Sequence, residues 1–124
     1  MTEHENRIEI DLPVDKEFAS LLRLMVSGIA SRMNFNLDAV DDLRIAVEEA
    51  YLMAMARKVT GRLKVVFLIQ ADGLRIDLKG QAGAVDGNEK ASDNFGGFIL
   101  DAVVDEIEAD RVDGEFGLKL TKYL

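Results

Sequence analysis

The sequence predicts an α+β fold, a two-layer sandwich with a mainly antiparallel, mixed sheet and helices on one face. Three observations carry that expectation. Leu37 to Arg57 (LDAVDDLRIAVEEAYLMAMAR) repeats apolar residues at helical spacing over nearly six turns. Short segments such as Arg7 to Leu12 and Leu74 to Lys79 alternate apolar and charged residues, the period of a half-buried strand. The elements follow in the order strand, helix, helix, two strands, loop, helix, two strands.

In Arg7 to Leu12, Ile8, Ile10 and Leu12 share one face and Arg7, Glu9 and Asp11 the other. Pro13, the only proline, ends that strand, and Asp15 is placed to cap a helix over Lys16 to Met33. Its expected core stripe is Phe18, Leu22, Met25, Ile29 and Met33, with Leu21 and Val26 beside it; Ser20, Arg23, Ser27 and Ser31 fall off the stripe. Asn36 is a candidate N-cap for the next helix, which ends before Gly61. Val40, Leu43, Val47, Ala50 and Ala54 form one stripe of that helix, while Ile45, Leu52 and Met55 cover much of the other side. A helix apolar on both sides is expected between two layers, and the double carboxylate Glu48-Glu49 in its middle conflicts with such burial.

Leu63 to Gln70 is largely β-branched and apolar, like a central strand. Asp72-Gly73 predicts a hairpin with both central residues at positive φ, and Leu74 to Lys79 returns. Gly80 to Asn94 lacks any period, and a loop of that length in a small domain is usually functional or disordered. A third helix is expected from Phe98 to about Val104. Ile107 to Val112 and Glu115 to Tyr123 then close the fold around Asp113-Gly114, with Phe116, Leu118 and Leu120 inward.

The 124 residues suit one domain, residues 1–124, with 1–6 as a disordered tail. No cysteine is present, so disulfides and thiolate metal sites are excluded, and the single histidine, His4, leaves no triad or His-rich metal centre. A net charge of −8 argues against direct nucleic-acid binding. No segment reads as a signal peptide or reaches the about 20 apolar residues of a membrane span, so a cytoplasmic protein is expected.

Two places carry candidate chemistry. Glu49, Met53 and Arg57 stack at four-residue steps on one side of the long helix. Glu49 there is either a general base or a carboxylate that reaches solvent or pairs with Arg57 or Lys58. The glycines at 80, 83, 87, 96 and 97 either cradle a phosphate beside a helix N-terminus or belong to a plain linker. Arg23, a long cation among small neighbours, is either a solvated surface residue or a partner contact.

The order of elements, the phrase LRIAVEEA and the run FGGFILDAVVDEIE before a final hairpin resemble anti-sigma factors of the RsbW and SpoIIAB type. The resemblance spans Ile8 to Leu124 and is most specific in LLRLMVSGIASRMNF followed by VDDLRIAVEEA. It implies the histidine-kinase-like (GHKL, Bergerat) ATPase fold, a serine-protein kinase activity, and dimerisation. The family helix carries Glu-Ala-x-x-Asn, its Glu a general base and its Asn a Mg²⁺ ligand. Glu49-Ala50 matches, but Met53 fills the Asn position and Arg57 replaces a frequent His. A thioether is a poor ligand for a hard cation, so Mg²⁺ is disfavoured and no metal residue is assigned. The family's adenine-reading Asp falls on Gly80, in a segment with Gly83; its later glycine motif falls on Asn94-Phe95-Gly96. Glu49, Met53, Arg57, Gly80, Gly83, Asn94 and Gly96 thus mark a degenerate site for ATP or ADP. Arg23 matches a family arginine that contacts the sigma factor and its antagonist, and Ser27, one turn on, joins it as a partner residue.

Two functions from different classes follow. One is a binding module that sequesters a sigma factor or related regulator and yields it to a STAS-domain antagonist. The other is an active serine/threonine kinase that phosphorylates that antagonist with MgATP; Glu49 speaks for it, Met53 and Gly80 against. Reuse of the fold for an unrelated task is the third reading.

Overall fold

The computed structural model describes residues 6–82, 98–110 and 114–124. In chain order the elements are β1 (Asn6–Pro13), a 3₁₀ turn (Lys16–Phe18), α1 (Ala19–Arg32), α2 (Leu37–Ala56), β2 (Thr60–Gln70), β3 (Gly73–Gln81), helical residues 98–103, β4 (Glu106–Asp110) and β5 (Glu115–Tyr123). The sheet order is β1-β2-β3-β5-β4. Every described pairing is antiparallel, where a mainly antiparallel sheet with some parallel pairing was expected. The reason is topological. β4 runs parallel to β3, as a crossover through a helix requires, but β5 inserts between them.

The register sorts the two faces. Ile8, Ile10 and Leu12 stand opposite Phe67, Val65 and Leu63, and these align with Ile76, Leu78, Leu118 and Leu120 further across the sheet. That face carries the core. Leu12 is buried but Ile8 is 37% exposed, so β1 is covered only towards its C-terminal end. On the opposite face Val66 and Leu68 are nonetheless buried. Their cross-strand neighbours are Glu9 and Asp77, and Arg7 and Arg75, whose long stems can cover apolar surface while the charged heads stay wet.

Asp15 caps as expected, its Oδ1 accepting from the Glu17 N–H at 3.1 Å, but the first turn is 3₁₀ and the α-helix starts at Ala19. The buried stripe of α1 is Leu22, Val26, Ile29 and Ala30; Phe18, Met25 and Met33 are only partly buried against the core, and Leu21 is exposed. Asn36 caps α2 by accepting from the Ala39 N–H at 2.8 Å. Along α2, Val40, Leu43, Ala46, Val47, Ala50, Tyr51 and Ala54 are buried. Ile45 and Leu52 are exposed, so the expected burial on both sides does not hold: α2 packs into the core and against α1, and one side meets solvent.

α2 ends before Gly61, as expected, at Ala56. Lys58, not a glycine, takes the left-handed conformation there, at φ 57°. Its N–H donates to the Met55 carbonyl and that of Val59 to the Ala54 carbonyl, the paired bonds that close a helix. Gly61, at φ 74°, instead serves the irregular register at the start of β2. The β2–β3 hairpin turns through Ala71 and Asp72, between the paired Gln70 and Gly73, with no positive φ at Asp72 or Gly73. Gly73 is needed for another reason: a Cβ there would run into the Lys122 carbonyl of β5. Gly114 does take positive φ, at 85°, before β5. The third helix ends near the expected place, at residue 103, and β4 ends at Asp110.

Nothing in the local pattern of residues marks Tyr51. Its side chain is fully buried, and its hydroxyl accepts from the Asp15 N–H at 2.8 Å. The hydroxyl proton is shared between the carbonyls of Pro13 (2.7 Å) and Asp15 (2.6 Å). The middle of α2 is thereby pinned to the link between β1 and α1. Tyr51→Phe keeps the ring and strands these backbone groups, so it should cost about 1–3 kcal/mol of stability in a denaturant titration.

Candidate functional site

The two neighbouring carboxylates of α2 part company. Glu48 turns towards α1, where Arg23 Nη1 donates to its Oε1 at 2.7 Å, both side chains remaining partly exposed. Glu49 is partly buried, and its carboxyl is pushed above the ordinary value by loss of solvent first and the Glu48 charge second. The conflict between a buried helix and a double carboxylate thus resolves into one paired acid at the rim and one acid biased towards its neutral form.

Met53 and Arg57 lie one and two turns further along α2. Arg57 is buried, at 4% exposure, and its Nη2 donates to the Glu115 carbonyl of β5 at 3.1 Å. Both side chains border a cavity of about 20 Å³, closed on the far side by Ala109 and Asp110 of β4 and Phe116 to Leu118 of β5. Gly80 sits in β3 opposite Phe116, and a Cβ there would lie 2.5 Å from Val59 Cγ1. Gly80 does not border the small cavity. It faces a larger open one of about 650 Å³ at the strand ends, with Thr60, Arg62, Lys79 and Glu115, which neither Glu49 nor Met53 reaches. Gly83, Asn94 and Gly96 lie outside the described residues. Among the described residues no group of three or more His, Cys, Asp or Glu is placed to hold a metal ion.

The second place is the outer face of α1 and α2. Arg23 stands between two grooves, one of about 730 Å³ with Lys16, Ser20, Glu48 and Leu52, the other of about 230 Å³ with Leu24, Ser27 and Arg44. Ser27 donates back to the Arg23 carbonyl at 2.7 Å. Leu24 is 72% exposed, and Leu21, Ile45 and Leu52 of the same two helices are exposed as well. Sequence reasoning missed Leu24, Arg44 and the Glu48 partner of Arg23. An apolar residue next to Arg23 and off the core stripe was the available signal for Leu24, whereas a pairing between two helices leaves no trace in spacing along one.

An α+β sandwich with this helix pair on a five-stranded antiparallel sheet, and Glu49-Ala50 at the helix motif, defines the class: the histidine-kinase-like ATPase fold. No protein-family model matches the chain. Within that class, the resemblance to RsbW-type proteins holds along the whole sequence. The chain is 28% identical to a serine-protein kinase RsbW of Bacillus pumilus, covering all of this chain and 90% of that protein. It is 28% identical to the RsbW kinase of Bacillus velezensis over 94% of this chain and 85% of that one. It is 26% identical to that of Bacillus subtilis over 100% and 89%.

Because the fold raises the Glu49 pKa above its unfolded value, the favourable contribution belongs to the protonated form. It is present below the ordinary value of 4.5 and is lost as pH rises through the folded value. At neutral pH the ionised carboxylate therefore works against folding. Glu49→Gln should raise the melting temperature at neutral pH, and the gain should fade as the medium is acidified and Glu49 takes up its proton.

Proposed function

We propose that this protein is an anti-sigma regulatory factor. It binds and sequesters a sigma factor, or a related regulator, in a partner-switching system, and its ATP binding is weakened or lost. A STAS-domain antagonist competes for the same surface. The chain works as a single domain over residues 1–124, in the cytoplasm and as a homodimer, without direct contact to nucleic acid or membrane.

The observation that carries this reading is the cavity beside Met53 and Arg57. About 20 Å³ holds little more than a water, against about 300–1,000 Å³ for usual small-molecule sites. The residues at the family positions do not fit MgATP. Met53 offers sulfur where Mg²⁺ needs oxygen, and at Gly80 an adenine-reading carboxylate would collide with Val59. Binding, by contrast, needs only a complementary surface. The α1/α2 face supplies exposed leucines around the Arg23 guanidinium, apolar anchors beside a charge that sets orientation.

The second reading, an active serine/threonine kinase for the antagonist, draws on Glu49, whose raised pKa suits a proton acceptor. The RsbW relatives are named as serine-protein kinases, which adds weight to it.

The partner surface is tested through Arg23. Arg23→Glu reverses the charge without entering the core stripe. It should weaken capture of the cognate sigma factor by about tenfold or more, about 1.4 kcal/mol, while the far-UV circular dichroism stays that of the parent. Unchanged affinity in a folded variant would remove Arg23 from the interface.

A further inference from the structure

On the α1/α2 face the central guanidinium already holds a carboxylate. Arg23 Nη1 of α1 donates to Glu48 Oε1 of α2 at 2.7 Å, with the two side chains 33% and 41% exposed. Both residues line the groove of about 730 Å³, together with Lys16, Glu17, Ser20 and Leu52. Such a pair opens easily, because solvent screens it and pairs of this kind contribute little. The acid has a second cation on its own helix. Arg44 lies four residues before Glu48, the spacing that brings helical side chains together, and its contact with Asp41 Oδ1 is long, at 3.5 Å. The cation has a second seat too, since Arg23 also borders the groove of about 230 Å³ on its other side.

We propose that Glu48 is an internal competitor for the guanidinium that the partner must engage, and that it thereby sets the affinity and selectivity of this face. The proposal rests on the reading of Arg23 as a partner contact. An oxygen of the partner has to displace Glu48, so the apparent affinity is reduced by the fraction of molecules in which the pair is open. An exposed pair of ordinary strength makes that reduction about fivefold at most. The displaced carboxylate turns towards Arg44, so it is not left unpaired beneath the partner. A partner with only apolar or positive groups at this point gains nothing from Arg23. It has to bury the closed pair, at a desolvation cost that its contacts with the exposed Leu24 and Leu52 must offset. Glu48 thus turns away surfaces that the leucines alone would accept.

The test follows binding of the full chain to the immobilised cognate sigma factor by surface plasmon resonance. Glu48→Gln should bind about two- to fivefold tighter than the parent. The gain should lie in the association rate, because exposed side chains change rotamer far faster than two proteins meet. Glu17→Gln removes the same charge from the same groove without touching the Arg23 pair, and should bind as the parent does. Arg23→Ala should weaken binding, and Glu48→Gln added to it should change nothing further. Circular dichroism checks that each variant is folded. If Arg23→Ala weakens binding but Glu48→Gln fails to tighten it, the competitor role is overturned and the Arg23 surface stands. Equal tightening in Glu17→Gln, or in the Arg23→Ala background, reduces the effect to net charge and overturns the role as well. Arg23→Ala with the parent's affinity removes the surface itself, and the competitor with it.

Discussion

The close seat of α2 in the core is the constraint on which the rest depends. Ala46, Ala50 and Ala54 recur at steps of four and are fully buried, so no side chain larger than a methyl separates that stripe of the helix from what it packs on. Tyr51 then fixes the helix along its length by holding the Pro13–Asp15 backbone. With α2 placed, the positions of Glu48, Glu49, Met53 and Arg57 follow from helical geometry alone. Lys122 adds a tie from β5, donating to the Val103 carbonyl at 2.9 Å and reaching Asp42 at 3.4 Å near the start of α2.

That seat separates two surfaces with different chemistry. Towards β4 and β5, Met53 and Arg57 share a cavity of about 20 Å³ with Phe116 and Leu118, and Arg57 spans to the Glu115 backbone. Towards solvent the helix and α1 show leucines and a guanidinium. The Arg23–Glu48 pair costs little to open, because both groups are partly exposed and surface pairs contribute at most about 1 kcal/mol. A partner carboxylate can take the place of Glu48 without unfolding anything.

Much of this was legible in the sequence, for physical reasons. Periodicity gave the helices and strands because burial on one face imposes periods of 3.6 and 2. The caps at Asp15 and Asn36 were readable because a cap is a local bond within three residues. What was not readable was long-range. Tyr51 bonds to residues 36 and 38 positions away, and the Arg23–Glu48 pair joins two helices. Gly73 looked like a turn residue, and only the β3–β5 register shows that it makes room for Lys122. The Met53 substitution of the family Asn was visible through the resemblance in the helix motif, but the packing around Met53 was not.

The most direct measurement is a calorimetric titration of the purified protein with ATP and with ADP, each with and without Mg²⁺. The proposed loss of nucleotide binding predicts no heat of binding up to millimolar nucleotide in any of the four titrations. Saturable binding at micromolar nucleotide, strengthened by Mg²⁺, would contradict the account, since Met53, Arg57 and Phe116 would then have to make way for the ligand.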